Sequence, residues 1–108
     1  MTVNEIITSC DLKVLSLPSP GREVSGCYIG DLLSWVMGRA NEDNVWITIM
    51  SNINTVAVAS LSDVSLVILA EGVTLEDDVL AAAEAKGINV AASHLPAFET
   101  AKLLFDKV

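Results

Sequence analysis

At 108 residues, with 14 acidic against 6 basic side chains and a formal charge of −8, the chain has room for one domain. Its scattered Lys and Arg do not form the basic patch that nucleic acid or an anionic membrane requires. It is 52% hydrophobic and 19% charged, with a mean hydropathy of +0.53, which points to strands buried on both faces, a buried self-association surface, or both.

The opening Thr2-Val3-Asn4-Glu5 is a capping-box pattern, so a short helix carrying Ile6 and Ile7 is expected there. Lys13 to Leu17 reads as a strand that stops at Pro18-Ser19-Pro20-Gly21. Glu23 to Ile29 reads as a second strand with Gly26 inside it. Asp31 then stands where an N-cap belongs, before a helix whose apolar face is Leu32, Leu33, Val36 and Met37. Two thiols, Cys10 and Cys27, have no C-x-x-C spacing and are expected to be buried in a reducing cytoplasm. The start MTVNEIITSCDLK lacks a basic n-region followed by an apolar run, so no signal peptide is expected.

Val45 to Ile49 reads as a strand, and Ile53, Val56, Ala57 and Leu61 mark a short helix. The uncharged run 45–62 is broken by Thr48, Ser51, Asn52, Asn54 and Thr55, which argues against a membrane span. Ser65 to Leu69 is a continuous apolar strand. Thr74 caps a helix with Val79, Leu80 and Ala83 inward, ended by Lys86-Gly87. Ile88 to Ala91 is the next strand, and Pro96 opens a last helix with Phe98, Ala101, Leu104 and Phe105 facing inward. This alternation implies an α/β domain spanning residues 1–108, its sheet mostly parallel and flanked by helices. The N-terminal third, outside the repeat, is expected to add antiparallel strands to an edge.

Ligands of parallel α/β sheets sit at the carboxyl ends of the strands. Three loops should meet there, carrying Ser51 and Asn52, then Glu71, Gly72 and Thr74, then Ser93 and His94. Their hydroxyl, amide and imidazole groups, next to helix starts, make them the candidate ligand-binding residues for a small anion or nucleotide. Glu76-Asp77-Asp78 reads as carboxylates complementing a helix dipole, with no metal-ligand spacing around them. No nucleophile lies beside a base in a recognisable motif, and Gly21 to Tyr28 has P-loop glycine spacing without the Lys-[Ser/Thr] that grips phosphate. No catalytic residue, metal or cofactor is therefore assigned. Tyr28 and Trp35 are candidate interface residues of a homodimer, large aromatics beside open sheet edges.

The run Val24-Ser25-Gly26-Cys27-Tyr28-Ile29-Gly30-Asp31-Leu32-Leu33-Ser34-Trp35-Val36-Met37 resembles the opening signature of the DRTGG-domain family. The resemblance continues through Ala70-Glu71-Gly72-Val73 and Gly87-Ile88-Asn89-Val90 to the segment Ala97 to Leu104. It implies a small α/β domain similar to the N-terminal domain of HPr kinase/phosphorylase. It also implies a regulatory or assembly role rather than catalysis, because kinase chemistry in that family belongs to a separate P-loop domain. The two name-giving elements differ here. Ser51-Asn52 stands where the family has Asp-Arg, and Ala70-Glu71-Gly72 stands where it has Thr-Gly-Gly. The resemblance thus implies a non-catalytic cytoplasmic interaction module, with anion sensing at the three loops as the alternative.

Overall fold

The computed structural model describes residues 1–108. In chain order it contains α1 (Val3–Ser9), β1 (Lys13–Ser16), β2 (Cys27–Ile29), α2 (Leu33–Arg39), β3 (Val45–Thr48), α3 (Ile53–Ser62), β4 (Leu66–Leu69), α4 (Asp77–Ala85), β5 (Val90–Ala92) and α5 (Ala97–Leu104). The five strands form one sheet in the order β1-β5-β4-β3-β2. Strands β2 to β5 are mutually parallel, and β1 is antiparallel to β5. The α/β expectation holds. Of the two N-terminal strands, however, only β1 is antiparallel. β2 joins the opposite edge in parallel, because α2 carries the chain back across one face before β3.

Every residue of β3 and β4 is buried, as expected of parallel strands covered on both faces. Val45, Ile47, Leu66 and Ile68 face one layer with Val3, Ile6, Ile7 and Leu104 from α1 and α5. Trp46, Val67 and Leu69 face the other, with Val36, Val56, Ala59, Val79 and Ala83 from α2, α3 and α4. The alternation along each strand thus builds two cores on one sheet.

Local signals place several elements. Glu5 N–H donates to Thr2 Oγ1 at 3.2 Å and Thr2 N–H donates to Glu5 Oε1 at 2.9 Å, a complete capping box. The second strand is shorter than expected because Gly26 stands before it at φ +79°. A Cβ at Gly26 would lie 2.9 Å from Asn44 Nδ2, and one at Gly30 would lie 2.9 Å from the Tyr28 ring. These two glycines make room for neighbouring side chains.

Other expectations change. Asp31 does not cap α2, whose N-cap is Leu32 without a side-chain bond. Its carboxylate accepts instead from Thr48 Oγ1 at 2.8 Å and Ile49 N at 3.0 Å, tying the entry of α2 to the end of β3. Glu76 rather than Thr74 occupies the N-cap of α4. Leu32, Met37, Ile53, Leu61, Phe98 and Phe105 are exposed rather than inward. Helices α2, α3 and α5 carry apolar residues on more than one stripe, and only the stripe over the sheet is covered. Cys10 is buried as expected, but Cys27 is exposed, since β2 is an edge strand. Atoms crowded around the Cys27 thiol still push its pKa up to about 11, which favours the protonated thiol at neutral pH.

Candidate functional site

The carboxyl ends of β3, β4 and β5 open onto the three loops expected to carry a ligand. The loop after β4 turns through two consecutive left-handed residues, Glu71 at φ +62° and Gly72 at φ +71°. Glycine adopts that conformation without cost, while Glu71 is held in it. The holding groups come from the loop after β5. Glu71 N–H donates to Leu95 O at 2.9 Å and Gly72 N–H donates to Ser93 O at 2.8 Å. Two of the backbone donors that an anion would use are thereby committed within the protein.

Ser93 is buried, its hydroxyl 2.8 Å from Thr100 Oγ1 and accepting from Leu95 N–H at 3.2 Å. It shapes the turn into α5. His94 beside it is exposed, as are Glu71, Gly72 and Thr74.

Ser51 and Asn52 lead into α3 and line a cleft of about 360 Å³ together with Ile53, Glu76, Asp78 and Val79. This cleft lies where the starts of α3 and α4 come together. Asn52 caps α3, its Oδ1 accepting from Asn54 N–H at 2.9 Å and Thr55 N–H at 3.3 Å. The first-turn donors of α3 are therefore partly satisfied by the chain itself. Glu76 and Asp78 add two carboxylates, and neither is in an ion pair. The rim is acidic. It suits an ammonium, a guanidinium or a hydrogen-bond donor better than a phosphate. No three His, Cys, Asp or Glu side chains converge as a metal site would require.

Of the seven candidate ligand-binding residues, Ser51 and Asn52 line the cleft, whereas Glu71, Gly72, Thr74, Ser93 and His94 do not. Sequence reasoning treated the carboxylates of Glu76 and Asp78 as dipole partners only. Their place in the cleft depends on α3 and α4 packing side by side, a contact between distant segments that no local pattern reveals. Of the two candidate interface residues, Tyr28 is half-buried and packs on the α2–α4 core. Trp35 is exposed, with the Arg39 guanidinium 3.6 Å above its ring, a cation–π contact that stiffens both side chains.

No family model matches the chain, and no curated protein matches it by sequence. Among solved structures, the chain is similar to a crystal structure of the CBS and DRTGG domains of the regulatory region of Clostridium perfringens pyrophosphatase, complexed with the activator diadenosine tetraphosphate. The TM-score is 0.75 at 16% sequence identity, and the match covers 95% of this chain. This chain spans 45% of that one. The likeness is one of fold: a small α/β architecture that also occurs in a regulatory region. No helix is long and apolar enough to cross a membrane.

Proposed function

We propose that the chain is a non-catalytic regulatory and protein-interaction module of the DRTGG type, working in the cytoplasm as a homodimer. The observation that carries this reading is the commitment of the carboxyl-end polar groups to structure. Thr48 Oγ1 donates to Asp31, Thr55 Oγ1 donates to Met50 O at 3.0 Å, Ser93 is bonded to Thr100, and Asn52 caps its own helix. Nucleophilic or acid–base catalysis needs a reactive group within reach of a base that orients it. His94, the one histidine, is exposed and does not line the cleft. The likeness of the fold to a regulatory region, and the DRTGG-like run from Val24 to Met37, support the same reading.

A second reading is a small-molecule sensor. It is favoured by the cleft beside Ser51 and Asn52 and by the nucleotide activator held by the pyrophosphatase region of similar fold. The acidic rim weighs against a polyphosphate there.

A thermal-shift series with diadenosine tetraphosphate, adenine and guanine nucleotides and simple anions separates the two. A ligand that binds only the folded state adds about 2.7 kcal/mol at a hundred times its dissociation constant, which such a series detects readily. The interaction module is expected to show no saturable shift. A dose-dependent shift that grows in Glu76→Gln and vanishes in Ser51→Trp would replace it with the sensor.

A further inference from the structure

We propose that two copies of this chain pair antiparallel through the free edge of β2, joining their sheets into one. The inference rests on the homodimer reading above and names the surface that serves it.

The two edges of the sheet differ in how they are guarded. β1 carries Lys13, has a register break between Val14 and Ser16, and is followed by Pro18. Charges, bulges and prolines of this kind blunt an edge against pairing. β2 is Cys27-Tyr28-Ile29, with no charge, proline or bulge. Gly30 N–H donates to Ile47 O at 3.2 Å and Val45 N–H donates to Gly26 O at 3.0 Å. In a parallel ladder the residue between those two, Tyr28, turns its backbone groups the same way. Cys27 and Ile29 therefore point their N–H and C=O groups outward. With a two-fold axis at Tyr28, Cys27 of each copy faces Ile29 of the other as a hydrogen-bonded pair. The two Tyr28 residues then meet in the closer, non-hydrogen-bonded position.

The helices beside this edge supply the apolar surface that three residues of strand cannot. On one face the row runs α2, α3, α4, with α4 toward β1, so α2 is outermost at the β2 side. Leu32 and Trp35 share one exposed flank of α2, while Met37 lies on the opposite one. On the other face α5 lies over β3, and at its carboxyl end the Leu103 backbone carbonyl meets the Cys10 thiol at 3.8 Å. This helix exposes Phe98 and Phe105 around a groove of about 330 Å³ that Ala101 also lines. Ile29, paired with the core residue Ile47, lies on this same face of the sheet. Five side chains, Leu32, Trp35, Phe98, Phe105 and Ile29, are between 49% and 86% exposed. At about 200 Å² for a fully exposed large side chain they offer roughly 600 Å², to which the paired strands add toward the ~800 Å² that each partner of a standard interface buries. They are also uncharged on a chain of −8. The cations among them lie over aromatic rings, Arg39 over Trp35 at 3.6 Å and Lys102 over Phe98 at 5.6 Å. Two copies meet here with less repulsion than elsewhere on an acidic surface.

Sedimentation of the full chain over about 1 to 100 µM tests this, since the protomer–dimer balance follows concentration. The wild type is expected to approach twice 11.4 kDa. Ile29→Lys should weaken the dimer at least about tenfold, while Val14→Lys, at the guarded edge, leaves it unchanged. Tyr28→Cys, made with Cys27→Ser, should give a disulfide-linked dimer on mild oxidation, because the two sulfurs face each other across the axis. A wild-type dimer that survives Ile29→Lys and does not crosslink at residue 28 overturns the β2 pairing and leaves the homodimer standing. A wild type that stays at 11.4 kDa throughout overturns both.

Discussion

At the amino ends of the parallel strands, Arg22, Asp43, Asp63, Asn44 and Asn89 are joined to one another and to backbone. At the carboxyl ends, Glu76 and Asp78 border an open cleft without a counter-charge. Arg22 sits between Asp43 and Asp63, with Nη2 to carboxylate distances of 3.0 and 2.9 Å. Partial burial alone would lower its pKa, but the hydrogen bonds and charges of the two aspartates outweigh that and raise it. Asn44 Nδ2 donates to Ser25 O at 2.8 Å while its Oδ1 accepts from Asn41 N–H at 2.9 Å. Polar groups at the amino end hold connections in place, whereas at the cleft Asn52 is spent on the α3 cap and only the Glu76 and Asp78 carboxylates stand outside any ion pair. Amide and acidic residues occur at both ends. Partnership, and not composition, separates scaffold from candidate site.

The largest effect should come from Asn89, which is 2% exposed. Its side chain bonds Ser19 N, Ser19 O and Ser65 O at 2.9, 2.8 and 3.0 Å, tying the Pro18–Gly21 turn to the start of β4. Asn89→Ala leaves those backbone groups unpaired and should cost about 3 kcal/mol, read from the urea midpoint at unchanged slope. Gly26→Ala comes next, at about 2 kcal/mol. It forces an alanine to φ +79° and places its methyl 2.9 Å from Asn44 Nδ2. A neutral Gly26→Ala would mean that the Asn44 bond to Ser25 is not needed to enter β2.

Arg22→Met should cost about 1 kcal/mol, because both ion pairs are partly exposed and a third hydrogen bond runs to Asp63 O. The loss should shrink in high salt. Changing Glu76 and Asp78 together to Gln and Asn should move stability by less than about 0.5 kcal/mol, the small dipole contribution of first-turn carboxylates. A double variant as damaging as Arg22→Met would erase the contrast between the two ends.

Much of the fold could be read locally. The capping box at Thr2 and Glu5, the apolar runs of β3 and β4, and the Lys86-Gly87 stop each rest on neighbours within a few residues. What could not be read was which apolar stripe of a helix meets the sheet. Phe98, Ala101 and Phe105 are as regular a stripe as Ala97, Ala101 and Leu104, and only packing over β3 chooses the second. Asp31 had the right type and place for an N-cap, but Thr48, brought beside it by the β2–β3 pairing, takes its carboxylate. In the candidate site, Ser51 and Asn52 were legible from their place after a parallel strand. Glu76 and Asp78 were not, because their role there depends on two helices meeting across about 25 residues of chain.

The smallest expected effect concerns acid. Glu5 closes the capping box near the amino-end network, where Thr2 also bridges to Glu23. The backbone hydrogen bond from Thr2, then the one with its hydroxyl, hold the Glu5 carboxyl below its ordinary value of 4.5. A carboxyl whose pKa is lower in the folded than in the unfolded state stabilises the fold above the unfolded value and loses that contribution as pH falls through the folded one. Wild type should therefore be more stable than Glu5→Gln at neutral pH, with the difference closing below pH 4.5. Urea midpoints for both proteins from neutral to acid pH measure it. A gap that stays constant across that range would mean that the bond from Thr2 N–H gains nothing from the charge on Glu5. The capping box would then count as a neutral pairing.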